Sequence, residues 1–162
     1  MRSQAIVTSL ALAGSLAALP STLLAQTKAL DPCSLLTAQD VSGVLGIKSL
    51  SGRPWMGTSK ASCFYSADTT YDLTGRTATL MVLPGMGFAQ RKVHPGDGPM
   101  AGKSAGVGED SYYMSYGNYT KLNVLKGEWS FTITVTPGPQ KSTPDQVGEL
   151  EKALAKEAVG RL

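Results

Sequence analysis

Trp129, Phe131, Ile133 and Val135 alternate without a break with Ser130, Thr132, Thr134 and Thr136. A period of two predicts a strand whose faces meet different surroundings. The large apolar side chains belong to a core, and the hydroxyl-bearing face is left to solvent or to a partner. Two further strands lead into this one. Asp110 to Tyr116 places Tyr112, Met114 and Tyr116 on one face, Gly117-Asn118 is a turn signal, and Thr120 to Lys126 follows. Lys126-Gly127 then turns into the alternating segment, so these strands read as a meander.

Helices are signalled at both ends of the chain. Asp31-Pro32 pairs an N-cap residue with proline at the first helical position. Thr37 and Asp40 stand at capping-box spacing, Leu36, Val41, Val44 and Leu45 recur at near-helical intervals, and Gly46 is a stop. Residues 32–45 are therefore one helix or two short ones. Thr143-Pro144-Asp145-Gln146 starts another, with Val147, Leu150, Leu154, Ala158 and Leu162 on one face and Glu149, Lys152, Lys156 and Glu157 largely opposite. Between these helices, 50–60 is rich in Ser, Gly, Pro and Thr and reads as a loop. Ala61 to Ala67 is a short strand carrying Cys63, and Arg76 to Leu83 is an apolar strand stopped by Pro84. From Gly85 to Gly108 the chain is Gly- and Pro-rich, with one apolar segment, Phe88 to Val93, compatible with a short helix. The expected fold class is α+β: a twisted antiparallel sheet of about five strands, with the N-terminal and C-terminal helices packed on one face.

The first 25 residues carry the layout of a secretory signal. Arg2 is the basic start, Ala5 to Ala18 the apolar stretch, and Leu23-Leu24-Ala25 a small-residue cleavage site. The stretch is shorter than the roughly 20 residues of a bilayer span, although an uncleaved anchor is the alternative reading. A lipid anchor is not expected, because Cys33 follows Pro32 and not a small-residue box. Residues 26–162 are thus expected to be a single exported domain, periplasmic or secreted. In that setting Cys33 and Cys63 are expected to pair, closing a loop of about 30 residues. The formal net charge is +3, without any block of like charges, and this argues against nucleic acid or an anionic membrane as partner.

An ordered set of short motifs resembles a bacterial exported domain family of unknown function, many of whose members are lipoproteins. Asp31-Pro32-Cys33-Ser34-Leu35-Leu36-Thr37 with Val41 and Val44-Leu45-Gly46 matches its opening. Cys63-Phe64-Tyr65 resembles its Cys-aromatic strand, and Gly106-Val107-Gly108-Glu109-Asp110 its glycine-rich segment. Trp129–Val135 and Leu154–Leu162 resemble its closing strand and helix. This chain departs from the family in lacking a lipid-bearing cysteine. The resemblance implies an exported α+β domain and carries over no catalytic residue.

Residue patterns for catalysis are sparse. His94 is the single histidine; with Asp97 it offers two metal ligands, short of a site, and a surface-loop role is the plainer reading. There is no Ser-x-x-Lys pair. Glu109-Asp110 and Glu128 could supply paired carboxylates, but such groups at a strand edge are ordinarily solvated. Gly106-Val107-Gly108 leads into a strand and reads as a glycine turn, not a dinucleotide fingerprint. Neither metal nor cofactor is expected. The candidate binding residues are Tyr112, Tyr113, Tyr116 and Tyr119, large rigid surfaces with a polar tip, together with Trp55 and His94. The expected function is a non-enzymatic, disulfide-stabilised module that binds an envelope protein, a secreted protein or a glycan. The alternatives are a carrier of a small apolar ligand in a cavity between sheet and helices, lined by Met81, Leu83, Met114 and Trp129, and a minor hydrolase using His94.

Overall fold

Each helix at the ends of the chain begins where its capping residues stand. A computed structural model describes residues 29–55, 59–69, 74–93, 101–117, 119–139 and 142–162; the expected export signal and His94 lie outside them. The Asp31 carboxylate accepts from the Cys33 amide at 2.9 Å, heading a 3₁₀ turn over Pro32–Ser34. Thr37 and Asp40 then close a reciprocal capping box on helix α1, Ala38–Leu45, and Gly46 ends it in the left-handed region at φ 66°. The N-terminal helical signal thus resolves into two short pieces. Helix α2 spans Phe88–Val93. Helix α3, Pro144–Val159, starts from a Thr143–Gln146 capping box.

The strands are β1 Arg53–Trp55, β2 Ser59–Tyr65, β3 Arg76–Pro84, β4 Asp110–Ser115, β5 Thr120–Lys126 and β6 Trp129–Pro137. They form one antiparallel sheet in the order β1-β2-β3-β6-β5-β4. The architecture is α+β, as the sequence predicts, with six strands where about five were expected. The extra one is β1, inside the segment whose composition reads as a loop. Three residues are too few to show alternation, and Pro54 is tolerated because the strand lies on an edge. Gly52 lets it approach: a Cβ there would stand 2.6 Å from the Tyr65 ring.

The core fills the space between the sheet and the terminal helices. Val41 and Leu45 of α1 and Val147, Leu154 and Ala158 of α3 are buried against Leu80, Leu122, Val124, Phe131, Ile133 and Val135. The Cys33–Cys63 disulfide ties the 3₁₀ turn to β2, with Cys63 fully buried, and is consistent with an oxidising environment. Beside it the Tyr65 hydroxyl donates to the Leu36 carbonyl at 3.0 Å. Arg161, just past α3, pairs with Asp40 at 2.7 Å and donates to the Leu35 carbonyl at 3.0 Å. Burial alone would raise the Asp40 carboxyl, but hydrogen bonds from Thr37 and the Arg161 charge outweigh it and hold the group below its usual range. Along α3 the buried stripe includes Glu151, while Leu162 is exposed. Among the described residues no helix is long and apolar enough to cross a membrane.

The glycine turn before β4 is a sharp constraint. Gly108 adopts φ +68°, and a Cβ there would press on the Leu125 carbonyl and on Val124 Cγ1. Gly108→Ala is therefore expected to cost more than the roughly 1–2 kcal/mol of a left-handed alanine alone. Urea unfolding would show it; a loss under 0.5 kcal/mol, about the level of an inert surface change, would refute the crowding.

Candidate ligand groove

The terminal helices cover one face of the sheet. On the other, antiparallel register aligns side chains in rows, because directly opposed residues share a face. One row crosses five of the six strands: Ser62 faces Met81, Met81 faces Thr132, Thr132 faces Asn123, and Asn123 faces Tyr112. On one side of it, Phe64, Thr79 and Thr134 form a parallel row, with Lys121 opposite Met114 on the neighbouring strands. On the other side lie Leu83, Ser130, Leu125 and Asp110, and there α2 closes over the sheet. Its Arg91 donates to the Ser130 hydroxyl at 2.7 Å, Lys92 pairs with Asp110 at 2.8 Å, and Phe88 packs on Tyr112 with ring centroids 5.2 Å apart.

What remains open is a groove of about 630 Å³, floored by threonines and methionines. Its two ends carry aromatic rings. At the β1–β2 edge Trp55 meets Phe64 edge-on at 4.7 Å, and the Arg53 guanidinium lies 5.1 Å from the Phe64 centroid. At the β4–β5 hairpin Tyr116 and Tyr119 stack with centroids 4.8 Å apart and planes 4° from parallel. The Lys121 ammonium sits 4.9 Å and 5.8 Å from those two rings. Burial raises the Tyr112 and Tyr116 phenols, so both remain protonated hydrogen-bond donors at neutral pH. In the floor, Asn123 Oδ1 accepts from the Thr132 hydroxyl at 2.8 Å, while its buried Nδ2 meets no acceptor.

The candidate residues divide between the two faces. Trp55, Tyr112 and Tyr116 line the groove, and Tyr119 backs Tyr116. Tyr113 turns to the helix side, where its hydroxyl donates to the Gly148 carbonyl at 2.9 Å and burial pushes it up to about 12. Adjacent strand residues point oppositely, so Tyr112 and Tyr113 cannot both serve one surface. Met81, Leu83 and Met114 come together as expected, but on the face away from the helices, and Trp129 packs with the helix-side core instead. Of the carboxylates, Glu109 pairs with Lys126 at 3.6 Å and Asp110 with Lys92. Among the described residues no three His, Cys, Asp or Glu side chains gather where they could hold a metal ion.

Lys121, Asn123, Thr79 and Arg91 also line the groove and are not marked by any motif. The signal that does reach it is the hydroxyl face of 130–136. No protein family, curated protein or solved structure matches this chain.

Proposed function

We propose that this protein is a non-enzymatic binding module, exported to the periplasm or the medium, whose ligand lies across the open face of the sheet. The observation that carries this reading is the groove itself. Its volume falls in the range of roughly 300–1,000 Å³ typical of small-molecule sites. It also combines an apolar and hydroxyl floor with aromatic ends, the mixture that gives contact area together with orientation. The signal-like N-terminus, the disulfide and the resemblance of the Asp31-Pro32-Cys33 opening to an exported family support the compartment.

Native mass spectrometry of residues 26–162 from the producing organism's exported fraction is expected to show a bound small mass. Thr134→Trp, which fills the groove without touching the helix-side core, should remove it. A bare wild-type chain, or an adduct that the variant retains at full occupancy, would defeat the groove as the binding site. A protein that co-purifies equally with both forms would move the site to the tyrosine hairpin.

A further inference from the structure

We propose that the groove takes a small amphipathic anion, with an apolar body lying over Met81 and the central threonines and an acidic group at Lys121. This rests on the groove being the binding site and adds the chemistry of its ligand.

The argument begins with charge. The charged side chains lining the groove are Lys121 and Arg91, and no carboxylate lines it among the described residues. Outside it, Lys92 is matched by Asp110 and Lys126 by Glu109. Arg91 is committed to holding α2 down, through Ser130 and the Pro84 and Met86 carbonyls. Lys121 differs. Two stacked tyrosine rings hold its ammonium in place. Ring faces attract a cation but accept its N–H groups only weakly. Among the described residues no carboxylate pairs with it. A site with a fixed cationic donor and no acid is complementary to a ligand that brings acceptor oxygens and negative charge.

The apolar requirement follows from the neighbours of Lys121. Met114 stands opposite it on β4, and Met81 lies on β3, two strand spacings or about 10 Å from β5. Thr132 and Thr134 of β6 lie between and present methyl groups as well as hydroxyls. A body of that length can cover the methionines while its acid reaches Lys121. Trp55 at the far end closes on the tail. A fully polar anion would leave the methionine surface wet, and a neutral lipid would leave the ammonium without a counter-charge.

The test compares three probes sharing a decyl body: decanoate, decanol and decyltrimethylammonium, titrated below their aggregation limits and followed by Trp55 fluorescence and calorimetry. Decanoate is expected to bind about tenfold tighter than decanol, the scale of one charge-assisted hydrogen bond, and the cation weakest. Lys121→Gln should bring decanoate to the level of decanol and so erase the preference for the anion, with the circular dichroism of the wild type. Equal binding of all three probes, or a Lys121→Gln variant that keeps the preference for decanoate, overturns the proposal while leaving a groove that binds apolar bodies. Failure of every probe, with Thr134→Trp indistinguishable from wild type, overturns the groove reading and this proposal together.

Discussion

Replacing both half-cystines, Cys33→Ala with Cys63→Ala, is expected to lower the unfolding free energy by about 3–4 kcal/mol. The bridge closes a separation of 30 residues, and chain entropy for a loop of that length gives this magnitude at 25 °C. What it crosslinks adds to the effect. Cys63 lies on the helix-facing side of β2, between Leu80 of β3 and Pro54 of β1 in register, and Cys33 lies in the 3₁₀ turn. That turn leads into Leu35 and Leu36, whose carbonyls receive the Arg161 guanidinium and the Tyr65 hydroxyl. Freed from β2, the N-terminal segment is still held by those hydrogen bonds, by the Arg161–Asp40 pair and by the burial of Pro32 and its leucines. Urea denaturation of the double variant, and of the wild type under reductant, should show the same shift in midpoint. A loss below 1 kcal/mol in both would mean that the turn is held by packing and the disulfide is incidental. The groove lies on the opposite face, so the folded fraction of the variant should bind ligand as the wild type does.

The same division into faces decides how much of the molecule could be read beforehand. The strands of the meander are legible because Trp129 to Thr136 alternates and because glycine turns mark both hairpins. The helix starts are legible because their caps are local, and Thr37 with Asp40 and Thr143 with Gln146 form the hydrogen bonds their spacing implies. β1 is not legible, since its pairing with Phe64 and Cys63 is a tertiary event recorded in no pattern of its own.

The groove lies between these cases. Its hydroxyl floor follows from one strand's alternation. The convergence of Lys121, Asn123 and Met81 depends on β6 standing between β3 and β5, an order that sequence proximity does not supply. Among the tyrosines, strand periodicity separates Tyr112 from Tyr113, but it cannot say which side is open. That is settled by where α1 and α3 pack.

Glu151 is the least anticipated residue, and it carries the largest expected pH effect. It lies one helical turn beyond Val147 on α3, a position the core claims, and it is fully buried. The pairing of β5 with β6 runs only as far as Leu122 and Ile133. Beyond that point the Val135 amide donates to Glu151 Oε1 at 3.2 Å, and the Thr120 hydroxyl donates to Oε2 at 2.9 Å. The carboxyl therefore continues the hydrogen bonding that the strand pair leaves unfinished. Burial raises its pKa from 4.5 to about 7, against the smaller opposing pull of these two donors. A carboxyl with a folded pKa above its unfolded value binds more protons when folded, so stability falls as pH rises through that interval. Between pH 4.5 and 7 the wild type should lose about 3 kcal/mol on this account, at about 1.4 kcal/mol per tenfold change in proton concentration. Asp40, with a lowered pKa, contributes in the opposite sense and only as the pH falls toward and below 3.8. Glu151→Gln retains an acceptor for the Val135 amide and an amide for Thr120 while removing the titration. Its stability should match the wild type near pH 4.5 and exceed it by about 3 kcal/mol above pH 7. Urea unfolding of both proteins across pH 4.5–8 measures that difference directly. Parallel curves would mean that the carboxyl is ionised throughout and that Thr120 and Val135 compensate its burial in full.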